Sequence, residues 1–447
     1  MTSEPENSIS SPKPPDPPVD LVSEPRLLRE YSIDGIQPSA VAFPRRREDV
    51  AGILGRADAE GRKVMPSGSG TKLTLGAPPQ RVDLLLKLEA MNRVVEHDYQ
   101  NLTVTVEAGA RLAAVQAVLR ERSQFLPLDP PFGDRATIGG ILATNSSGPR
   151  RVLYGSPRDF VLGIRAALPN GTIIKAGGKT VKNVAGFDLC KLHIGAMGTL
   201  GVMVEATFRV LPLPETSSTQ LLLFGDLEAA CAFVGKLLGT ALSPSAVELL
   251  NPEAVARCRA FTGSARKGLW GLAVAGEGVA EAVERQSKDL PAMADAAEAV
   301  LPINGKEQEA FWRLVTDYLS EEGAGKLRHA VRGRISVPLS QVGAVAAETQ
   351  RMFDELQVPG VIVAHAASGI VHFTCSDTKF PAEKIMALRK RANELAGWLT
   401  LEAAPHAIKR RVAVWDAPAG GLEIMKRIRA SFDPKRTLNP GRFLDGI

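Results

Sequence analysis

The residues best suited to chemistry in this 447-residue sequence are small ones, set out as Pro66-Ser67-Gly68-Ser69-Gly70-Thr71, Thr137-Ile138-Gly139-Gly140 and Gly198-Thr199-Leu200-Gly201-Val202. The first is a glycine loop of the kind that cradles an anion. The next residues along the chain, Lys72-Leu73-Thr74-Leu75-Gly76-Ala77-Pro78-Pro79, have no helical period and end in a proline pair. Neither a Walker loop nor a Rossmann fingerprint fits, since both need a helix straight after the glycines. The remaining physical option is a nest, in which successive backbone N–H groups converge on an anion without a helix dipole. The second stretch sets a glycine pair between Ile138 and Ile141, where each glycine costs about 1 kcal/mol relative to alanine in a helix interior. That cost is offset where the backbone must come close to another segment or to a flat cofactor.

The elements that position these loops can be read from periodicity. Val50, Ile53, Leu54 and Ala57 recur at helical spacing after Pro44, and Gly61 stops the helix. Arg62 to Met65 then reads as a strand running into the glycine loop. Val82 to Leu88 and Leu102 to Ala108 read as strands, and Ala110 to Arg122 as a helix with Leu112, Val115 and Leu119 inward. Asn170-Gly171 joins two short strands as a hairpin turn does, and Val202 to Val210 alternates as a strand. Beyond Thr216 the texture changes. Strand-like runs (Gln220 to Phe224, Gly268 to Ala275, Arg328 to Val337, Val361 to Ala366, Gly369 to Thr374) alternate with helical ones (Asp226 to Leu238, Glu277 to Lys288, Glu307 to Leu319, Leu339 to Leu356, Pro381 to Ala396). This pattern predicts an antiparallel sheet with helices on one face.

Composition bounds the function. The length calls for two domains, and 45% hydrophobic with 23% charged residues is ordinary for a globular protein. Lys and Arg exceed Asp and Glu by 54 to 49, in clusters such as Arg45-Arg46-Arg47 and Lys409-Arg410-Arg411 that read as solvated basic faces. With 5% aromatics and no basic stripe interleaved with them, nucleic-acid binding is not expected. Cys190, Cys231, Cys258 and Cys375 form neither a disulfide framework nor a CxxC metal or cluster motif, which fits a reducing compartment. No apolar run reaches the roughly 20 residues of a membrane helix and no signal peptide leads the chain, so a cytoplasmic protein is expected, held at a membrane only through partners. Residues 1–25, crowded with prolines, are expected to form a disordered tail.

Taken together, these motifs resemble the FAD-binding domain of the vanillyl-alcohol oxidase (PCMH-type) family, and the likeness runs from about Pro38 to Asn439-Pro440-Gly441-Arg442-Phe443. Within that family the chain is most similar to the FAD-binding accessory subunits of bacterial glycolate oxidases. The resemblance implies an α+β protein: a two-lobed FAD-binding domain over residues 26–214, succeeded over 215–447 by an α+β cap with an antiparallel sheet and a C-terminal flavin-side segment. It implies that the 66–71 loop holds the FAD pyrophosphate, and that Pro130, Thr137, Gly139, Gly140, Asn145, Gly148, Tyr154, Gly198, Thr199, Gly201 and Val202 complete the cofactor site. It also implies partners, namely a catalytic flavoprotein subunit and an iron–sulfur subunit, and a small 2-hydroxy acid such as glycolate or D-lactate.

The departures from the family lie in the cap. Its hydroxy-acid dehydrogenases carry a His-Gly-His-x-Gly-Asp-Gly-Asn-x-His segment and a later Glu-His pair, which implies a basic histidine for the hydroxyl proton and a metal for the hydroxy-acid oxygens. Here Val363, Ser368 and Ile370 replace a histidine, the aspartate and the asparagine, and the later pair is Pro405-His406. His365, His372 and His406 remain at matching positions as candidate catalytic residues, with Glu402 as a candidate replacement carboxylate, and no complete metal site is expected. His365 and His372 fall on opposite faces of a regular strand, so only a Ser368-Gly369 turn brings them together. Arg135, Lys182 and Arg442 are candidate carboxylate anchors, and the resemblance sets His193, near Cys190, beside the flavin. The sequence favours an FAD-carrying subunit whose substrate oxidation is completed on a partner, over a free-standing D-2-hydroxy-acid dehydrogenase or a non-catalytic scaffold.

Overall fold

In the computed structural model, which describes residues 20–179, 187–263, 265–317, 330–376, 380–416 and 420–447, the helix expected after Pro44 runs Arg47–Ala59 and turns Val50, Ile53, Leu54 and Ala57 inward. It packs on a sheet of β1 (Asp20–Val22), β2 (Val41–Phe43), β3 (Val64–Ser67) and β4 (Leu84–Lys87) in the order β1-β2-β4-β3. The inner pairs are parallel and β1 is an antiparallel edge. The edge strand shortens the expected tail: past the last of the crowded prolines, Asp20–Val22 has backbone N–H groups free to pair with Val41–Phe43. Residues 1–19 lie outside the described residues.

The chain continues through β5 (Val94–Asp98), β6 (Thr103–Glu107), β7 (Gln124–Phe125), β8 (Val161–Ala167), β9 (Ile173–Gly177), β10 (Val202–Arg209) and β11 (Leu211–Pro212). β7 pairs with β11, and the others form an antiparallel sheet in the order β5-β6-β10-β8-β9. Ala167, Val202 and Val204 of this sheet share one core with Val50, Ile53 and Leu54 of the first helix and Leu84 and Leu86 of the first sheet, which locks the two lobes together. The glycine pair lies inside a helix, Ile138–Thr144, rather than in a loop. A Cβ on Gly139 would stand 3.0 Å from both the Cβ and the carbonyl oxygen of Ala108, and Gly139 N donates to that oxygen at 2.7 Å. Close approach to the end of β6 therefore offsets the helix penalty.

The cap adds β12 (Thr216–Phe224), β13 (Ala246–Leu250), β14 (Trp270–Gly278), β15 (Ala297–Ile303), β16 (Val331–Ser336), β17 (Val361–His365), β18 (Ile370–Cys375) and β19 (Trp398–Ala403). They form one antiparallel sheet in the order β15-β12-β14-β13-β17-β18-β16-β19. Helices Leu227–Leu238, Val342–Leu356 and Ala382–Glu394 cover one face over Phe224, Leu249, Ile335 and Phe373. The sequence pattern predicts helices on one face only, but Pro252–Arg257 and Gly305–Thr316 cover part of the other, over Leu221, Leu223 and Val363, which are apolar on that side too. The rest of the second face turns toward the two N-terminal lobes and carries His365, His372, Arg334 and Glu402.

Candidate functional site

The glycine loop leaves β3 and is held by its neighbours. Lys87 Nζ donates to Gly68 O at 2.7 Å, and Ser67 Oγ donates to the same oxygen at 3.0 Å. Gly70 has φ +83°, and a Cβ on Gly68 would fall 1.9 Å from Thr137 Oγ1, so loop and glycine helix meet where only glycine fits. The next turns are clamped from the far end of the chain. Arg442 donates from its Nη atoms to the carbonyls of Leu73, Leu75 and Ala77 at 2.7, 2.6 and 3.0 Å. Asn439 Nδ2 donates to Met197 O at 2.7 Å.

These segments enclose a narrow channel lined by Pro66, Ser67, Gly68, Ser69, Gly70, Thr71, Thr137, Gly139, Gly140, Gly198, Gly201 and Val202, each of them expected from sequence. Lys72, Leu75, Thr144 and Met197 also line a wider cavity of about 1050 Å³, which adds Asn145 and the cap residues Arg334, His365, His372 and Glu402. Four expected residues do not reach either space. Pro130 lines a separate hollow beneath the cap. Gly148 is pressed on Asp129, whose Oδ1 accepts its N–H at 3.1 Å. Tyr154 packs edge-on to Phe125, and Thr199 turns its hydroxyl back to Ala196 O at 2.6 Å. Each satisfies a local contact that spacing alone does not reveal.

On the cap side, alternation along the strands sets the wall. Val371 and Phe373 of β18 enter the helix-covered core, so His372 faces the other way, and Val331 and Ile335 do the same for Arg332 and Arg334 on β16. His372 pairs across the sheet with Val363 on one side and Arg334 on the other. The turn between β17 and β18, with Gly369 at φ +70°, returns His365 to the same face, and the two imidazoles stand 5.0 Å apart. His365 Nδ1 lies 2.7 Å from Glu248 Oε1 on β13. Glu402 on β19 places Oε2 3.8 Å from His372 Nδ1 and accepts from Lys72 Nζ at 3.2 Å with Oε1.

Burial, with the charges of His365, Lys72, Arg334 and Arg332 as lesser causes, holds the His372 pKa well below the ordinary histidine value, so the ring is neutral at pH 7. Burial pushes the Glu402 carboxyl up, but Lys72, Arg334 and Arg332 outweigh it and leave the group below its ordinary value. Burial lowers the Lys72 ammonium in turn, with Glu402 opposing. The wall therefore offers a neutral base beside permanently charged guanidiniums.

The other expected residues are elsewhere. His406 is exposed at the start of the short helix His406–Lys409, whose buried residues are Ile408 and Lys409. Arg135 lies over the Phe132 ring at 5.3 Å. Arg442 is committed to the carbonyls it clamps, and Lys182 falls outside the described residues. His193 is buried edge-on to Phe432, away from the cavity, with its pKa lowered by burial to about 4. Among the described residues no group of three or more His, Cys, Asp or Glu side chains is placed to hold a metal ion. Missed by sequence reasoning were Lys72, Arg151, Glu248 and Arg334. The signal available for Arg334 was its place two residues from Arg332 in an otherwise strand-like run.

Residues 38–177 match the family model described as "FAD binding domain", and residues 213–443 match "FAD linked oxidases, C-terminal domain". Among curated relatives, the glycolate oxidase subunit GlcD of Bacillus subtilis (strain 168) is 30% identical over 91% of this chain and 88% of its own length. A D-lactate dehydrogenase of Anaerostipes hadrus is 28% identical over 95% and 93%. Among solved structures, p-cresol methylhydroxylase with substrate bound superposes with a TM-score of 0.74 at 18% identity, covering 94% of this chain and 93% of that one, a likeness of fold.

The channel fits FAD. Buried Ser69 Oγ, Asn145 Oδ1 and Asn439 Oδ1, all at the channel or its mouth, lack a hydrogen-bond partner among the described residues, as polar atoms awaiting a ligand do.

Proposed function

The chain belongs to the family of FAD-linked oxidases, and on that footing we propose that it oxidises small 2-hydroxy acids, glycolate and D-lactate among them, to the 2-oxo acids in the cavity between lobes and cap. The observation that carries this reading is that His372, His365 and Arg334 face the cavity into which the cofactor channel opens at Lys72 and Thr144. Bound FAD supplies the two-electron acceptor. Arg334 offers the substrate carboxylate a planar, permanently charged fork. His372, held neutral, has a ring nitrogen to take the hydroxyl proton. Glu248 orients His365 beside it, and the Lys72–Glu402 pair closes the wall without adding net charge. The names of the relatives support the substrate class.

We further propose that the chain works as the FAD-bearing member of a glycolate-oxidase-type complex, with a second flavoprotein subunit and an iron–sulfur subunit that takes the electrons onward. Its four cysteines form no cluster motif, so onward transfer needs another carrier. Among the described residues no helix is long and apolar enough to cross a membrane, and we place the complex in the cytoplasm, with any membrane attachment made by partners. A second reading leaves substrate oxidation to the partner flavoprotein. It is favoured by Val363, Ser368 and Ile370, which stand where the resemblance implies polar donors. The anaerobic visible spectrum of the purified single chain separates the two. Bleaching of the flavin band by glycolate or D-lactate supports oxidation on this chain, and an unchanged band assigns it to the partner.

A further inference from the structure

The cavity holds one more recognition element than a monocarboxylic acid uses. Of the charged residues that line it, Lys72 is paired with Glu402 and Asp416 with Arg389. Two guanidiniums are left, Arg334 from β16 of the cap and Arg151 from the first turn of helix Arg151–Tyr154 on the opposite wall. Neither side chain forms a hydrogen bond or an ion pair with any described residue, and Arg334 Nε is buried without an acceptor. The two repel: burial lowers the Arg151 pKa first, and Arg334 lowers it further against the weaker pull of Asp129, Asp159 and Glu248. Glu248 is already engaged, since its Oε1 is 2.7 Å from His365 Nδ1. Two half-buried like charges facing one space are costly unless an anion lies between them.

We propose that Arg151 binds a second anionic group, so that the preferred substrate is a dianionic 2-hydroxy acid, most simply a 2-hydroxydicarboxylate. Arg334 takes the carboxylate next to the reacting carbon and Arg151 the distal one, across the seam between the two halves of the chain. This rests on the reading of the cavity as a 2-hydroxy-acid site, and it makes Arg151 a specificity determinant. Charge-assisted, bidentate contact to a fixed guanidinium discriminates strongly against an analogue lacking the partner group, because the cation is then left unpaired.

The test uses the flavin-loaded full chain in two measurements. In the first, glycolate, D-lactate, D-malate and D-2-hydroxyglutarate are compared as reductants of the flavin. In the second, the oxo acids pyruvate and 2-oxoglutarate are titrated calorimetrically, which reads binding whether or not turnover occurs. The expected result is at least about tenfold tighter binding of 2-oxoglutarate than of pyruvate, a preference that Arg151→Gln lowers about 10–100-fold and Arg151→Lys partly restores. Melting temperature serves as the folding control, and removing one of two repelling charges should not lower it. Equal or tighter binding of pyruvate by the unaltered chain, or a preference unmoved by Arg151→Gln, overturns the proposal. So does loss of the flavin band in Arg151→Gln, which would give Arg151 to the cofactor instead. If no acid bleaches the flavin but the calorimetric preference holds, the oxidation reading fails and the dianion site stands.

Discussion

Glu248 Oε1 stands 2.7 Å from His365 Nδ1 on the neighbouring strand, with both side chains buried. A carboxylate at that nitrogen fixes the tautomer and points Nε2, which has no hydrogen-bond partner among the described residues, toward its surroundings. Glu248→Gln keeps the shape and removes the charge. Turnover with the best hydroxy acid should fall about 10–100-fold with KM little changed, measured by steady-state assay with an artificial acceptor. Unchanged turnover would remove His365 from the mechanism.

The pH dependence is set by His372. Its folded pKa lies well below 6.5, so the ring is ready to accept a proton across the neutral range and loses that capacity only as pH falls well below 6.5. The rate of anaerobic flavin bleaching should therefore be flat from about pH 6.5 to 8 and show no acid limb near the free-histidine value. A limb centred near 6.5 would mean that another group is the base.

His193 offers a stability test away from the site. Burial lowers its pKa from 6.5 to about 4, so the folded state binds fewer protons than the unfolded chain between those values. Its contribution is fully present above pH 6.5 and is lost as pH falls toward 4, by about 3 kcal/mol in all. In His193→Phe, which keeps an aromatic ring against Phe432, the drop in urea midpoint between pH 7 and 5 should be smaller than in the unaltered chain. Parallel midpoints would contradict this.

Gly68→Val should empty the cofactor channel. The new Cβ would fall 1.9 Å from Thr137 Oγ1 and 2.9 Å from Thr137 Cβ, so the loop must move off the glycine helix. The purified variant should show a ratio of flavin to protein absorbance at least tenfold lower while keeping its far-ultraviolet circular dichroism. Full flavin content would show that the loop does not hold the cofactor.

Local pattern made much of this legible. The Arg47–Ala59 helix and the inward residues of Leu112–Arg120 come from 3.6-residue spacing, and the anion-nest reading of the 66–71 loop from glycines with no helix after them. β13, β15 and β19 were missed. Ala246-Val247-Glu248-Leu249-Leu250 is short and charged at its centre, and it becomes a strand only through partners on both sides. The same long-range pairing conceals the site. Glu248 meets His365 across 117 positions and Lys72 meets Glu402 across 330, and no local window contains either pair. The His365–His372 pair was legible only conditionally, since strand alternation separates the two and the turn at Gly369 reunites them.

The clamp that Asn439 and Arg442 place on the cofactor side has a consequence for biosynthesis. Arg442 leaves the ribosome 369 positions after Leu73, the carbonyl it secures. At about 5–20 residues per second the glycine loop waits on the order of tens of seconds for its last fastener. Closure of the glycine loop thus waits for the synthesis of Asn439 and Arg442, and a nascent chain stalled or truncated before Leu438 would carry every glycine of the channel yet lack the fastener that holds it closed.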